Sequence, residues 1–475
     1  MNNILKISPN DNVGVALSGE KKGHKTALCD IKKGQEVIKY GYPIGKAVCD
    51  IKKDGHVHTH NLKTALGDIL EYHYQPNIDE LPSAEEDFFS GYLREDGQVG
   101  IRNEIWIIPT VGCISGVASK IAAEASAHIA GSCDGVYAFP HPFGCSQLGD
   151  DHENTKKLLA ALASHPNAAG VLILGLGCEN NRISGLAEAM GSYDSKRVRF
   201  LECQDIEDEI KTGVDIVKEL IDGACSLTRV KVPVSKLVVG LKCGGSDGLS
   251  GITANPLTGC FSDLLVAAGG STVLTEVPEM FGAETILMNR CINANVFDKT
   301  VSMINSFKEY YKQNNQPIYE NPSPGNKDGG ITTLEEKSLG CTQKSGRAPV
   351  CDVLGYADKS EKKGLNLLYA PGNDLVAATA LAAAGAQIVL FTTGRGTPFG
   401  CPVPTLKLST NTELYTKKTA WMDMDAGVLL DGVPMEQLAR TLYDTVKEIA
   451  SGNQKTKNEL NGYREIAIFK TGVTL

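Results

Sequence analysis

Leu237-Val238-Val239-Gly240-Leu241 runs directly into Lys242-Cys243-Gly244-Gly245-Ser246-Asp247-Gly248, and the stretch closes with Gly251-Ile252-Thr253-Ala254-Asn255-Pro256. The apolar run is typical of a buried β-strand. The glycine-rich segment after it is typical of a loop whose backbone N–H groups approach a ligand closely. The apolar helix expected to begin near Asn255 adds the positive end of its dipole. The stretch therefore predicts a binding site for an anion or a metal.

Strand-like and helix-like runs alternate on both sides of this stretch. We expect strands at 104–111, 135–141, 170–177, 197–204, 236–242, 271–277, 364–370 and 387–393. We expect helices at 117–130, 152–165, 208–226, 255–268, 297–315, 373–384 and 434–451. The alternation predicts an α/β fold of Rossmann-like lobes, in which helices cover parallel sheets and ligands bind at the carboxyl ends of the strands. A split near 228–233 divides it into a middle domain at 91–230 and a C-terminal domain at 231–475.

Residues 1–74 differ from the rest because they contain short β-like runs and no long helix. They include an internal repeat, in which Ala27-Leu28-Cys29-Asp30-Ile31-Lys32-Lys33 returns as Ala47-Val48-Cys49-Asp50-Ile51-Lys52-Lys53. The repeat predicts a small all-β domain built from two similar hairpin-like pieces. Residues 75–90 are acidic and contain prolines, which is typical of a linker.

The composition excludes several classes of protein. No run approaches the roughly 18 apolar residues of a membrane span, and the segment from Met1 lacks the features of a signal peptide, so we expect a cytoplasmic protein with no membrane partner. The net charge of −9 argues against a nucleic-acid partner, because no basic stripe exists to bind phosphates. No glycine fingerprint of the dinucleotide or P-loop type follows a strand. We therefore expect no nucleotide cofactor.

Gly-Cys pairs recur at or near the ends of the expected elements. They are Gly112-Cys113, Gly144-Cys145, Gly177-Cys178, Gly340-Cys341 and Gly400-Cys401, and Cys243 is similarly placed. Because the carboxyl ends of parallel strands share one edge, several thiols there could bind a soft metal or an iron–sulfur cluster. The structural alternative, that each cysteine packs beside a glycine as a small apolar side chain, stays open.

All nine histidines lie within the first 165 residues. His56, His58 and His60 alternate, so that in a β-strand their side chains point to one face. There they could bind a metal or supply a general base near neutral pH, and a merely polar strand face is the alternative. His152 opens an expected helix soon after Gly144-Cys145, beside a candidate thiol site.

An anionic ligand also needs local cations. Those next to glycine-rich loops are Lys242, Lys327, Lys337, Lys344 and Arg395, and solvated surface is the alternative for each. Arg395 lies in a second loop after a strand, Thr392-Thr393-Gly394-Arg395-Gly396-Thr397-Pro398. Its guanidinium can bind a carboxylate with two hydrogen bonds.

These loops resemble those of the UxaA family of sugar-acid dehydratases, in order along almost the entire chain. The matching motifs are Gly91-Tyr92-Leu93-Arg94-Glu95-Asp96-Gly97, Gly100-Ile101-Arg102-Asn103, Gly144 to His152, Gly175 to Asn181, Cys243 to Gly248, Glu276 to Glu284, Glu320 to Lys327 and Thr393 to Pro398. The resemblance implies a SAF-like β-clip domain at the N-terminus and loss of water from a hexonate such as D-altronate, giving 2-dehydro-3-deoxy-D-gluconate. It also implies Fe²⁺, with Mn²⁺ as an alternative, and a homodimer, for which the middle domain is a candidate contact.

The chemistry of such a dehydration suggests roles for the candidate residues. Removing the proton beside a carboxylate creates an enediolate, whose extra negative charge a metal or fixed cations must stabilise. With the resemblance, this leads to the hypothesis that Cys113, Cys145 and Cys243 ligate the metal. The candidate bases and acids are His56, His58, His60 and His152. The candidate substrate-binding residues are Lys242, Ser246, Asp247, Asn255, Arg395 and Thr397.

Three other functions stay open on the sequence. A galactarate (aldarate) dehydratase would need cations at both ends of a diacid. An iron–sulfur redox or regulatory protein could be built on the thiols. A carbohydrate-binding protein without catalysis could use the β-rich N-terminal unit.

Overall fold

The computed structural model of the chain describes residues 4–67, 69–82 and 84–474. The segment from Met1, for which we expect no signal peptide, begins with residues 1–3, and these lie outside the described ranges. Within them, no helix is long and apolar enough to cross a membrane. Two parallel sheets covered by helices follow a module of short antiparallel strands, so the predicted α/β fold with a small all-β N-terminal domain is confirmed.

The N-terminal module consists of two small antiparallel sheets with orders β1-β2-β3-β6 and β4-β5-β7. Its strands are β1 Ile4–Leu5, β2 Val13–Ala16, β3 Lys25–Ala27, β4 Glu36–Lys39, β5 Tyr42–Ala47, β6 His56–Val57 and β7 Leu62–Lys63. The two copies of the repeat pair with each other, because Ile31 and Ile51 exchange backbone hydrogen bonds of 2.8 Å in both directions. The carboxylate of Asp30 accepts from the backbone N–H of Lys53 in the second copy, and that of Asp50 accepts from Lys33 in the first. The duplicated sequence thus makes reciprocal contacts.

The middle part of the chain builds a parallel sheet with the order β11-β10-β12-β13 and a small antiparallel sheet with the order β14-β8-β9. The elements are β8 Phe88–Leu93, β9 Val99–Gly100, β10 Glu104–Pro109, α1 Ser115–Ala125, β11 Gly135–Ala138, α2 Gly149–Ala163, β12 Ala168–Gly175, α3 Ile183–Met190, β13 Val198–Glu202, α4 Glu209–Cys225 and β14 Val230–Pro233. Strands β10 and β12 are almost entirely buried and apolar, as expected for parallel strands covered on both faces.

The rest of the chain builds a seven-stranded parallel sheet with the order β17-β18-β16-β15-β19-β20-β21. The elements are β15 Val238–Cys243, α5 Ala254–Ala267, β16 Ser271–Leu274, α6 Glu284–Met288, α7 Ala294–Gln313, α8 Pro324–Asp328, α9 Leu334–Thr342, β17 Val350–Leu354, β18 Gly364–Leu368, α10 Asp374–Ala383, β19 Ile388–Thr393, β20 Thr405–Ser409, α11 Thr412–Lys417, β21 Met424–Asp425, α12 Met435–Ala450 and α13 Lys457–Leu460. The opening stretch is therefore the central strand β15, its exit loop and helix α5.

The two α/β parts share one apolar core rather than packing as separate bodies. Trp106 on β10 and Leu381 on α10 belong to the same cluster of buried side chains. His165, which follows α2, stacks on Trp106 and bonds the carbonyl of Ala386 beyond α10. Burial of continuous apolar surface across the boundary fixes the two sheets relative to each other.

The expected linker at 75–90 begins as an extended strap along the C-terminal part. The Tyr74 hydroxyl donates to the carbonyl of Cys291 at 2.6 Å, and the backbone N–H of Asn77 donates to Asn289 at 2.7 Å. Just before it, the Tyr72 hydroxyl donates to the carboxylate of Glu284. These contacts tie the strap to the body, whereas a free spacer would make none.

Candidate active site

Lys242 lies at the carboxyl end of β15 and is completely buried. Its ammonium group donates to the carboxylates of Glu276 and, at 3.0 Å, Asp374, and also to the carbonyl of Cys243 at 2.6 Å. Burial alone would lower the pKa of this lysine, but the nearby carboxylates of Glu276 and Asp374 raise it above its usual value. Lys242 is therefore a charged side chain held in place by carboxylates from two neighbouring loops.

A buried group of two thiols and one carboxylate lies beside this lysine. The sulfur atoms of Cys243 and Cys341 are 3.4 Å apart, and Glu279 Oε2 is 3.3 Å from the first and 3.1 Å from the second. In the described part of the chain, these three residues form the single group of His, Cys, Asp or Glu ligand atoms lying within 4.8 Å of one another. The hydrogen bond with Cys243 and burial raise the pKa of the Cys341 thiol well above its usual value.

Two further lysines contact this group. Lys344 Nζ lies 2.8 Å from the Cys243 sulfur and 2.9 Å from Glu276 Oε2, and Lys337 Nζ lies 2.8 Å from Glu279 Oε1. Burial would raise the pKa of Glu279, but the charges of Lys337 and its neighbouring lysines hold it far below the usual range. Fixed ammonium groups thus lie next to the thiols and the carboxylate. They would stabilise a negative charge that develops close to them during a reaction.

Four histidine rings cluster on the N-terminal module. The ring of His56 lies with its centroid 5.3 Å from that of His24, 5.5 Å from that of His58 and 5.7 Å from that of His60. Burial, with the charge of Lys21 as a second cause, lowers the pKa of His56 to about 4. Its imidazole is therefore neutral at pH 7 and able to accept a proton.

The expectation of one continuous strand through these histidines is wrong. Strand β6 ends at Val57, and His58 and His60 lie in the turn that follows. Asn61 closes this turn, because its side chain accepts from the backbone N–H of His58 at 2.9 Å and donates to the carbonyl of His56 at 2.9 Å. The rings come together through a turn rather than through strand alternation.

The histidine cluster faces the exit loop of β15. His58 Nε2 lies 2.9 Å from the carbonyl of Lys327 on α8. On the same helix, the side-chain amide of Asn326 donates to the carbonyl of Ser246 at 2.8 Å and accepts from Lys337 at 3.0 Å. A continuous set of contacts therefore connects the histidines with the lysines around the thiols.

The structure does not bring the other predicted metal ligands or His152 to this place. Cys113 and Cys145 are exposed on loops after β10 and β11 of the middle sheet, outside the group that contains Cys243. His152 lies in the first turn of α2, where its Nε2 is buried without a partner and its Nδ1 is 3.7 Å from Glu153. The sequence placed these residues on one edge with Cys243, whereas the chain divides them between two sheets.

Several predicted substrate-binding side chains already have internal partners. Buried Asp247 accepts from the hydroxyls of Ser250 and Thr410, and burial raises its pKa. Asn255 bonds the carbonyl of Gly340 and the hydroxyl of Thr392. These bonds hold the loop in its conformation, as do those of Lys242.

Arg395, Thr397 and Ser246 are placed differently. Arg395 is exposed and its guanidinium donates to the carbonyl of Gly325 at 3.3 Å, and Thr397 is half-buried. Ser246 is buried and lines a small cavity between the exit loop, α9 and Tyr40 of the N-terminal module. Binding of a substrate by these residues stays a prediction.

Sequence reasoning assigned no role to four residues of the site: His24, Glu276, Glu279 and Cys341. Cys341 carried the Gly-Cys signal, and both glutamates lie in one of the matching motifs. For His24 no local signal exists, because folding of the module brings it to His56 from 32 positions away. Lys337 and Lys344 were noted only as cations near glycine-rich loops.

Three sequence families match successive parts of the chain. Residues 19–65 match the altronate/galactarate dehydratase SAF domain, and residues 91–225 match the second domain of D-galactarate dehydratase/altronate hydrolase. Residues 234–474 match the C-terminal domain of D-galactarate/altronate dehydratase. The exit loop of β15 and the thiol group belong to the third match, and the histidine cluster belongs to the first.

Individual relatives match over nearly the whole length. The chain is 54% identical to the altronate dehydratase of Bacillus subtilis (strain 168), over 100% of both chains. It is also 54% identical to the altronate dehydratase of Escherichia coli (strain K12), over 98% of this chain and 94% of the relative. Identity to the galactarate dehydratase (L-threo-forming) of the same E. coli strain is 32%, over 94% and 89%. With full-length identity of this degree, the chain belongs to the D-galactarate/altronate dehydratase family.

Proposed function

We propose that the protein is a hydro-lyase that converts D-altronate to 2-dehydro-3-deoxy-D-gluconate and water. The observation that carries the proposal is the 54% identity, over essentially the full length, to two altronate dehydratases. The galactarate dehydratase shares only 32% identity, which favours the monoacid over the diacid. A cytoplasmic location and a homodimer belong to the same proposal and rest on the sequence reasoning.

The charges of the site suit the proposed reaction. Loss of the C2 proton beside the carboxylate produces an enediolate, so the site must hold a base and fixed positive charge. The imidazole of His56 is neutral at pH 7 and is the proposed proton acceptor, and its lowered pKa means that proton transfer to it must be coupled to stabilisation of the enediolate. Lys337 and Lys344 supply the ammonium groups. A carboxylate holds each of them in position, and the Cys243 thiol also contacts Lys344. In this scheme the N-terminal module contributes the base and the C-terminal part contributes the charge.

We propose that iron, when present, binds to Cys243, Cys341 and Glu279. The three donor atoms lie close enough for one ion, and two sulfur donors favour iron over manganese. Bound there, the ion would supply Lewis-acid polarisation of the substrate's oxygen atoms. Lys344 Nζ contacts the Cys243 sulfur at 2.8 Å, so a positive charge lies next to this candidate ligand.

A substrate comparison tests the proposed reaction. Enzyme prepared anaerobically is incubated with D-altronate or galactarate, with Fe²⁺ and reductant present or absent, and keto-acid formation is measured. We expect D-altronate to be converted much faster, and only with iron. Equal or faster conversion of galactarate would overturn the substrate assignment, and activity independent of iron would overturn the proposed metal.

A matched pair of histidine variants tests the proposed base. His56→Asn removes the imidazole at the centre of the cluster, whereas His73→Asn removes an exposed ring outside it. We expect the first variant to lose at least about 100-fold in kcat, as is typical for loss of a general base, and the second to keep full activity. Equal activity of the two variants would exclude His56 as the base.

A further inference from the structure

Three exposed thiols follow three adjacent strands of the middle sheet. Cys145 follows β11, Cys113 follows β10 and Cys178 follows β12, and these strands are neighbours in the order β11-β10-β12. All three strands run parallel, so the three loops leave from the same edge of the sheet. The thiols therefore lie at one edge, in a part of the molecule to which the proposed reaction assigns no role.

Backbone hydrogen bonds tie these loops together next to each cysteine. The N–H of Gly112 donates to the carbonyl of Phe143 at 2.8 Å, and the N–H of Asn181 donates to the carbonyl of Gly144 at 3.0 Å. The N–H of Ser146 donates to Asn180 Oδ1 at 2.9 Å. Each bond involves a residue within three positions of one of the thiols, so the loops are fixed relative to one another.

Gly144 shows how closely the loops approach. It has a φ of 101°, and a Cβ atom at this position would lie 2.0 Å from the carbonyl oxygen of Thr110. Only glycine satisfies both requirements. The glycine before Cys145 thus allows its loop to pack directly on the loop that carries Cys113.

In the described part of the chain, Gln147 and Asn181, which lie within three positions of Cys145 and Cys178, each have a buried polar atom without a partner. Gln147 is 3% exposed and accepts from the N–H of Gly144 through Oε1, but its Nε2 donor has no partner. Asn181 is 1% exposed and its Oδ1 is likewise unpaired, as is Nε2 of His152. Leaving a buried donor unsatisfied is costly, so the Gln147 amide indicates that a ligand with an acceptor atom supplies its missing partner.

The other cysteines of this part are unlike these three. Burial raises the pKa of both Cys133 and Cys203 to about 11, and both pack into the apolar cluster under α1 and α4. Such thiols are inert structural side chains. Exposed thiols at a strand-end edge are instead accessible as ligands.

The three sulfur atoms do not suit a single ion. In the described residues they do not form a group within 4.8 Å, which one ion would require. A cluster binds each thiolate to a different iron atom, so its ligands stand farther apart, and its sulfides accept hydrogen bonds from donors such as a side-chain amide.

We propose that Cys113, Cys145 and Cys178 bind a [4Fe–4S] cluster, with one iron atom left without a thiolate ligand. The site is separate from the group at Cys243 and does not depend on the proposed reaction. The unpaired amide donor of Gln147, two positions after Cys145, is the candidate hydrogen-bond donor to the cluster.

Reconstitution of the full chain tests this site directly. Protein is incubated anaerobically with sulfide and equal parts of ferrous and ferric iron, which supply the oxidation states of the resting cluster. Iron, acid-labile sulfide and visible absorption are then measured for the wild type, for Cys113→Ser, Cys145→Ser and Cys178→Ser, and for Cys29→Ser as an exposed control in the N-terminal module.

We expect about four sulfide per chain in the wild type and in the control, with about four iron at this site and one more where the Cys243 group is also filled, and loss of most of the sulfide in each of the other three variants. Circular dichroism checks that the variants are folded, which the exposure of all three positions favours. Sulfide binding that survives in all three variants, or a wild type that binds no acid-labile sulfide, would overturn the proposal. Loss of altronate conversion with normal cluster content would affect the proposed function only.

Discussion

Glu336 joins the N-terminal module to the C-terminal part through a buried ionic triad. Its carboxylate accepts from Lys25 Nζ at 2.7 Å and from Lys39 Nζ at 2.8 Å, and it also accepts from the N–H and hydroxyl of Thr332. All three charged side chains are at most 1% exposed. We predict that Glu336→Gln, which keeps the shape and removes the charge, releases the module from the body.

The expected magnitude follows from the lysines that lose their counterion. Burial already lowers the pKa of Lys25 to about 8, even with the carboxylate present. For Lys39 burial acts in the same direction, but Glu336 and Tyr40 raise its pKa above the usual value. Breaking a buried pair typically costs about 3–5 kcal/mol, and here two ammonium groups depend on one carboxylate. We therefore expect a loss of about 4–5 kcal/mol at pH 7.

The two lysines also determine the direction in which the stability difference changes with pH. Without Glu336 the lysines are neutral in the folded state but charged in the unfolded state, where their pKa is about 10.4. The penalty decreases as the pH rises toward this value, because the lysines of the unfolded state then lose their protons as well. The stability difference between wild type and Glu336→Gln should therefore narrow between pH 8 and pH 10.

Hydrogen exchange is the suitable assay, because a chain with several parts need not unfold in one step. The local opening free energy of residues 25–47 is compared between wild type, Glu336→Gln and the control Asp50→Asn, which removes the exposed pair with Lys32. We expect the control to match the wild type. A loss below about 1 kcal/mol in Glu336→Gln, or a difference that widens with pH, would refute the reasoning.

Three further predictions concern single side chains. Lys344→Met removes the ammonium group beside Cys243, and we expect kcat for keto-acid formation to fall about 100-fold or more with a smaller change in KM; an unchanged kcat would contradict the charge assignment. Burial lowers the pKa of His165 from 6.5 to about 3. Between pH 8 and pH 5.5, the free energy of unfolding measured in urea should therefore fall by about 1.4 kcal/mol more for the wild type than for His165→Gln. Parallel pH profiles of the two proteins would contradict this. Asp247→Asn replaces one of two acceptor oxygens with an amide NH2 group, so the donors of Thr410, Ser250 and Asn411 no longer all have an acceptor, and we expect a loss of about 1–3 kcal/mol by the same method; an unchanged midpoint would contradict it.

The strands that could be predicted from the sequence are those whose buried residues form a continuous apolar run. Strands β15 and β19 were expected almost residue for residue, because parallel strands covered on both faces are apolar throughout. Strand β20 was not predicted, because polar residues interrupt the sequence of Thr405–Ser409 although the strand is completely buried. Its Lys407 donates to the carbonyls of Thr397 and Pro398, so a lysine serves as an interior hydrogen-bond donor. Local pattern cannot reveal a partner supplied by a distant loop.

The same limit applies to the site. Cys243 was expected at the end of a central strand and lies there, but its neighbour Cys341 follows 98 positions later at the end of a helix. Cys341 carried the Gly-Cys signal, as did Cys113 and Cys145, and Cys243 was similarly placed at a strand end. The signal alone could not separate thiols on two different sheets, because which sheet each strand joins is decided by long-range packing.

The glycines of the exit loop have a reason that the sequence alone did not suggest. A Cβ atom on Gly248 would lie 1.8 Å from the carbonyl oxygen of Gly23 in the N-terminal module, and one on Gly244 would lie 2.5 Å from the carboxylate of Asp374. The small residues thus let the module and a neighbouring loop approach the end of β15 directly, and an approach this close brings His58 to Lys327. Because the proposed base and the fixed charges come from parts of the chain joined by these contacts, release of the module in Glu336→Gln should abolish turnover even where the C-terminal sheet stays folded.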